Sequence, residues 1–214
     1  MPPSPRLQPP RLYAILDPEQ TRDRAAETVL RELLAGGIKL LQLRAKSMPA
    51  GDFFLLACAA RALTRSYACG LIVNDRADIA LGSDADGVHL GQEDLPLQAA
   101  RKLMGDRIIG ISTHDVAQAR KAAEGGADYI GFGPMFGTTT KATGYSARGL
   151  EMLGEVRRAV DLPIVAIGGI NEGNIKEVWH AGADSAALIS DLLAADDVAD
   201  KVKRILALCS TGEA

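Results

Sequence analysis

Eight times along this chain, a short run of apolar, often β-branched residues gives way to a longer stretch whose apolar positions fall three and four apart. The short runs are Leu12–Leu16, Leu40–Arg44, Leu71–Asn74, Gly87–Leu90, Ile108–Ser112, Tyr129–Gly133, Pro163–Ile167 and Ala186–Ile189. Runs this short and this continuously apolar predict strands buried on both faces, as in a parallel sheet. The longer stretches are Ala25–Ala35, Ala50–Arg65, Ala77–Leu81, Pro96–Met104, Val116–Glu124, Leu150–Ala159, Asn171–His180 and Val198–Leu208. They are rich in the Ala, Leu, Glu and Arg that favour helices. Strict alternation of strand and helix predicts the α/β class, and eight units is the number that closes a (β/α)8 TIM barrel. A doubly wound open sheet shares the alternation, but no Gly-rich dinucleotide fingerprint follows the first strand. The expected organisation is one barrel domain over residues 11–209, flanked by a Pro-rich tail at 1–10 and a short tail at 210–214.

The punctuation between units fits this reading. Ala35-Gly36-Gly37, Glu124-Gly125-Gly126-Ala127-Asp128 and Ala181-Gly182-Ala183-Asp184 place glycine where a left-handed residue stops a helix. Helix capping is a sufficient account of this repeat. Asn171 is the expected N-cap of the seventh helix, and Asp196–Asp197 of the last. Trp179 and the apolar helical stripes read as core.

Composition excludes several functions. With 24 Lys+Arg against 27 Asp+Glu, the net charge of −3 gives no broad nucleic-acid footprint. Three cysteines without metal-ligand spacing read as reduced thiols in a cytoplasmic protein. No run reaches the roughly 18 apolar residues of a membrane span.

In a parallel barrel the strand C-termini share one face, and the loops there hold the chemistry. Strand two sends Gln42, Arg44 and Lys46 to one side by alternation. Strand three ends in Asn74-Asp75-Arg76, strand four in His89-Leu90-Gly91-Gln92-Glu93-Asp94, and strand five in Ser112-Thr113-His114. Asp75 and Asp94, with Asn74 and Gln92 beside them, form an oxygen-ligand set of the kind Mg²⁺ uses with waters and substrate phosphates. Each aspartate taken alone also reads as a turn residue. Inward-pointing Arg44 needs an anionic partner, and a pyrophosphate with Mg²⁺ would supply one. Gly168-Gly169 after strand seven and Ile189-Ser190 after strand eight fall where barrels commonly hold phosphate. His89 and His114 are acid/base candidates or strand-end histidines satisfied by backbone groups.

The motifs QLRAK (Gln42–Lys46), VNDRAD (Val73–Asp78), DGVHLGQEDLP (Asp86–Pro96), GISTH (Gly110–His114), GFGPMFGTTTK (Gly131–Lys141), AIGGI (Ala166–Ile170) and ALIS (Ala187–Ser190) follow one another in order. In these motifs the chain resembles the thiamine-phosphate synthase (thiamine-phosphate pyrophosphorylase) family, from about Leu12 to the last helix. The resemblance implies a transferase that couples hydroxymethylpyrimidine pyrophosphate to thiazole phosphate, with release of pyrophosphate. It implies that Gln42, Arg44, Lys46, Asn74, Ser112 and Lys141 hold the pyrimidine pyrophosphate, with Arg44, Lys46, Ser112 and Lys141 serving catalysis. It implies Mg²⁺ on Asp75 and Asp94, and thiazole phosphate on Thr138, Thr140, Gly169, Ile189 and Ser190. Its expected partners are small molecules, with no nucleic acid and no membrane; a homo-oligomer is compatible with it.

Two positions depart from the family's pattern. Gly137 stands where Pro is common, and Asp191 follows Ser190 where a small neutral residue is usual. A carboxylate there is expected to compete with bound phosphate. The alternative readings are a thiazole tautomerase-like barrel, another phosphate-binding barrel enzyme such as a sugar-phosphate isomerase, or a barrel that senses a phosphorylated ligand without turnover.

Overall fold

The computed structural model describes residues 7–137 and 146–210. Eight parallel strands close into a barrel in sequence order, β1 to β8, with β8 returning to β1. They are β1 Leu12–Leu16, β2 Leu40–Leu43, β3 Gly70–Asn74, β4 Gly87–Leu90, β5 Ile108–Thr113, β6 Tyr129–Phe132, β7 Ile164–Ile167 and β8 Ser185–Leu188. The helices are α1 Ala26–Gly36, α2 Ala50–Ser66, α3 Ala77–Gly82, α4 Leu97–Met104, α5 Val116–Glu124, α6 Gly149–Ala159, α7 Ile175–His180, α8 Ser190–Leu193 and α9 Val198–Ser210. The expected barrel is therefore correct, and each strand lies within about a residue of its expected place.

Two elements escaped the sequence: a 3-10 turn at Pro18–Gln20 and the four-residue α8 directly after β8. Asn171 does not cap α7. Its side chain accepts from Gly173 N at 2.8 Å within the loop, and the helix starts four residues later, because Asn171–Asn174 close on themselves first. Asp197 does cap α9, accepting from Asp200 N at 2.8 Å.

Strand alternation sorts the core into two clusters. Residues such as Leu12, Ala14, Leu41, Val73 and Ile130 face the helices in the larger one. Tyr13, Ile15, Leu40, Ile72, Tyr129, Val165 and Ala187 fill the barrel itself, with Leu7 packed against them from the segment expected to be a tail. The polar residues Gln42, Asn74, His89 and Ser112 continue the inward positions toward the strand C-termini and are buried. The interior is thus apolar at one end and hydrogen-bonding at the other.

Gly37, Gly126 and Gly182 do take left-handed φ values of 104°, 84° and 111°. The aspartate that closes the repeat has a further task. Asp86, Asp128 and Asp184 each precede an even strand, and each accepts from a backbone N–H on the preceding odd strand. The donors are Leu71 at 2.7 Å, Ile109 at 2.8 Å and Ile164 at 2.8 Å. Each also pairs with an arginine from an even helix: Arg61 at 2.7 Å, Arg101 at 2.6 Å and Arg157 at 2.9 Å. Three identical clasps thus tie strand pairs at the face opposite the loops, where a barrel's recurring residues serve stability. Asp128 is the best shielded, at 13% side-chain exposure. Asp128→Ala is expected to cost about 1–3 kcal/mol in urea unfolding, since it leaves the buried Ile109 N–H without its acceptor and takes an ion-pair partner from half-buried Arg101. A loss within a few tenths of a kcal/mol would mean that the clasp is decorative.

Candidate active site

The loops after the strand C-termini surround one cavity, lined by Gln42, Arg44, Asn74, Ser112, Gly169, Ile189 and Ser190 among others. Seven of the expected site residues therefore meet on one rim. Lys46 and Asp75 line an adjoining cleft that shares Asn74 with the cavity. Asp94 lines the next one with Gly91 and Gln92. Thr138, Thr140 and Lys141 lie outside the described residues, as do 1–6 and 211–214 of the expected tails.

Asp75 has φ 63°, a region that a non-glycine residue occupies only when its surroundings hold it there. Its N–H donates to His89 O at 2.8 Å, and Arg76 N closes the turn onto Asn74 O at 2.8 Å. The result turns the carboxylate toward Lys46, whose Nζ lies 3.1 Å away. Asp94 is fixed from the other side by Gly91 N, which donates to its Oδ2 at 2.6 Å. Burial, then a hydrogen bond and charge from the Asp75 carboxyl, raises the Asp94 carboxyl above its ordinary value. Two carboxyls held together in this way suit a hard cation that brings its own waters. Among the described residues no group of three or more His, Cys, Asp or Glu is disposed to hold a metal. Gln92, expected beside this set, instead donates through Nε2 to Ser112 O at 2.5 Å.

Arg44 already has an anionic partner. Its Nη1 pairs with Asp17 Oδ2 at the end of β1, a carboxylate with no exposed surface. The anionic partner that inward-pointing Arg44 needs, expected to be a pyrophosphate with Mg²⁺, is supplied at least in part by the protein itself. Asp17 drew no notice because a strand-end aspartate is ordinarily a turn residue, and it does accept from Glu19 N at 3.1 Å. Pairing holds the guanidinium at the cavity wall rather than withdrawing it.

On the opposite side, Gly168 and Gly169 take φ 88° and 68°. A Cβ on Gly168 would stand 2.7 Å from Pro134 Cβ, and one on Gly169 would stand 2.7 Å from Gly137 O. Their carbonyls are taken: Phe136 N donates to Gly168 O at 3.1 Å, and Asn174 Nδ2 to Gly169 O at 3.1 Å. The N–H groups of Gly169, Ile189 and Ser190 find no acceptor among the described residues. A loop whose carbonyls are occupied and whose N–H groups are not is suited to an anion.

Asp191 does not compete for that anion. Its carboxylate accepts from Glu172 N at 3.0 Å and pairs with Lys201 of α9 at 3.1 Å, while Lys201 also reaches Glu172 at 2.9 Å. The charge is neutralised away from the cavity and ties the β7 loop to the β8 loop. His114 also lines the cavity; its Nδ1–H donates to Gly133 O at 2.5 Å. That bond anchors the ring to the β6 loop.

The model of the thiamine monophosphate synthase family matches residues 12–192. The chain belongs to this family. It is 44% identical over 200 residues to the thiamine-phosphate synthase of Chloroflexus aurantiacus, covering 94% of this chain and 93% of that one. With that of Halalkalibacterium halodurans the identity is 45% over 189 residues, covering 88% and 90%. The solved thiamine phosphate pyrophosphorylase of Pyrococcus furiosus superposes with TM-score 0.86 at 36% identity, covering 94% and 97%. Family membership makes the chain an enzyme, a transferase.

Proposed function

We propose that the chain couples hydroxymethylpyrimidine pyrophosphate to thiazole phosphate, giving thiamine phosphate and pyrophosphate. One observation carries the reading. Arg44 lines the cavity from the β2 side, with Lys46, Asp75 and Asp94 in the clefts beside it, and Gly169, Ile189 and Ser190 line the β7–β8 side of that cavity. Two anion-handling sets facing one another are what a reaction between two phosphorylated partners requires.

In this reading the bond between the pyrimidine methylene carbon and the pyrophosphate oxygen breaks, and the electron pair leaves with pyrophosphate. The lone pair of the thiazole nitrogen then forms the new carbon–nitrogen bond. Arg44 and Lys46, with Lys141 of the resemblance, hold the leaving group and oppose its growing charge. Gln42, Asn74 and Ser112 hold the pyrimidine. Gly169, Ile189 and Ser190, with Thr138 and Thr140 of the resemblance, hold the thiazole phosphate so that nitrogen faces carbon. Mg²⁺ held by Asp75 and Asp94 would supply charge neutralisation for the pyrophosphate. No protein nucleophile is needed.

The rival tautomerase reading gives two paired carboxylates no task. Among the described residues no helix is long and apolar enough to cross a membrane; action in the cytoplasm is part of the proposal. The purified chain should form thiamine phosphate from the two substrates, and chelation of Mg²⁺ should stop it. Formation undiminished after chelation would remove the metal, and no product under any condition would remove the reaction.

A further inference from the structure

Beneath the rim, the barrel interior holds a row of hydrogen bonds that leaving-group chemistry does not use. Gln42 Nε2 donates to the Tyr13 hydroxyl at 3.2 Å, and the Tyr13 and Tyr129 hydroxyls lie 3.2 Å apart. The Tyr129 hydroxyl lies 2.9 Å from His89 Nδ1, and His89 Nε2 lies 2.9 Å from Ser112 Oγ. All five side chains are buried. Two glycines make the row possible. A Cβ on Gly110 would stand 2.1 Å from the Tyr129 ring, and one on Gly131 would stand 2.8 Å from His89 Cε1. Both belong to motifs, GISTH and GFGP, whose glycines the substrate contacts leave unexplained.

The row has a direction. An amide nitrogen can only donate, so the Tyr13 oxygen accepts from Gln42, and the one acceptor the row offers the buried Tyr13 proton is the Tyr129 oxygen. The Tyr129 proton then goes to His89 Nδ1. Burial raises both phenols above their ordinary value, so neither gives up its proton. His89 is left with its proton on Nε2, pointing at Ser112 Oγ. The Ser112 hydroxyl proton and the Gln42 carbonyl oxygen remain for the cavity, which both residues line.

We propose that Tyr13 and Tyr129 are positioning residues that set this polarity, making Ser112 a donor and Gln42 an acceptor toward an aminopyrimidine. Such a ring accepts at a ring nitrogen and donates from its amino group. The inference rests on the proposed reaction and adds to it what selects the pyrimidine.

Nitrogen-15 NMR of the histidine rings reads the first half directly: His89 is expected to carry its proton on Nε2. Tyr129→Phe keeps the ring and removes the hydroxyl. It is expected to shift His89 toward a mixture of tautomers and to raise KM for the pyrimidine pyrophosphate about tenfold. KM for thiazole phosphate should stay unchanged. In a Ser112→Ala background the same change should add less than twofold, since its effect runs through Ser112. A proton on Nδ1 in the unmodified enzyme, equal shifts in both KM values, or full additivity would each overturn the proposal. If the unmodified enzyme makes no thiamine phosphate, the reaction is what fails, and the tautomer still decides the row.

Discussion

Asp94→Ala is expected to lower kcat by about a thousandfold or more while the protein stays folded. Asp94 and Asp75 are the carboxylates that stand together at this rim, close enough for Asp75 to raise the Asp94 carboxyl above its ordinary value, with Lys46 3.1 Å from Asp75. Removing one leaves a single carboxylate already matched by a lysine, and so little net negative charge to attract a divalent cation. Several kcal/mol of charge stabilisation on the departing pyrophosphate would go with the metal, and each 1.4 kcal/mol or so is a factor of ten in rate. The structural loss is far smaller. Asp94 accepts one backbone bond, from Gly91 N at 2.6 Å, and its loop is solvent-facing enough for water to replace it. A cost of about 1 kcal/mol follows, visible as a Tm change of a few degrees. Asp94→Asn separates the two effects, because an amide oxygen can still accept from Gly91 while losing the charge. It should keep the Tm and lose the rate. Full turnover in either variant at ordinary Mg²⁺ would remove the metal assignment and leave Asp94 as a loop cap.

The barrel was legible because its signal is repetitive and local. Runs such as Leu71–Asn74 and Ile108–Ser112 are too short and too apolar for helices, and the glycines after α1, α5 and α7 fix where each unit ends. The site was legible where alternation did the placing: Gln42 and Arg44 share a stripe with Leu40, and that stripe faces inward. What pairing decides was not legible. Asp17 and Arg44 are 27 residues apart and meet through the pairing of β1 with β2, while Tyr13 and Tyr129 are 116 apart and only closure of the barrel brings them together. The Asp191 charge looked hostile to phosphate because its partner Lys201 sits on α9, which no motif links to the rim. The second task of Asp128 was hidden for a related reason. A helix-stop motif already accounted for the glycines beside it, while Arg101 lies a full unit away.

Gly169→Ala is expected to raise KM for thiazole phosphate about a hundredfold and to leave KM for the pyrimidine pyrophosphate nearly unchanged. Two costs meet at this position. With φ at 68°, alanine is strained by about 1 kcal/mol wherever it sits. Its Cβ would also lie 2.7 Å from Gly137 O and 2.8 Å from Phe136 Cβ, so the β6 loop and the β7 loop must separate. That movement pulls the Gly169 backbone away from Ile189 and Ser190, with which it lines the cavity. A hundredfold loss corresponds to about 2.7 kcal/mol, the scale of one or two charge-assisted hydrogen bonds to phosphate. Strain alone is controlled by Gly105, which has φ 58° but open space where its Cβ would point, far from the rim after α4. Gly105→Ala should therefore lower stability without touching either KM. Should Gly169→Ala behave in the same way, with both KM values intact, the phosphate does not sit on the β7 loop, and the thiazole half of the reaction must be housed elsewhere on the rim.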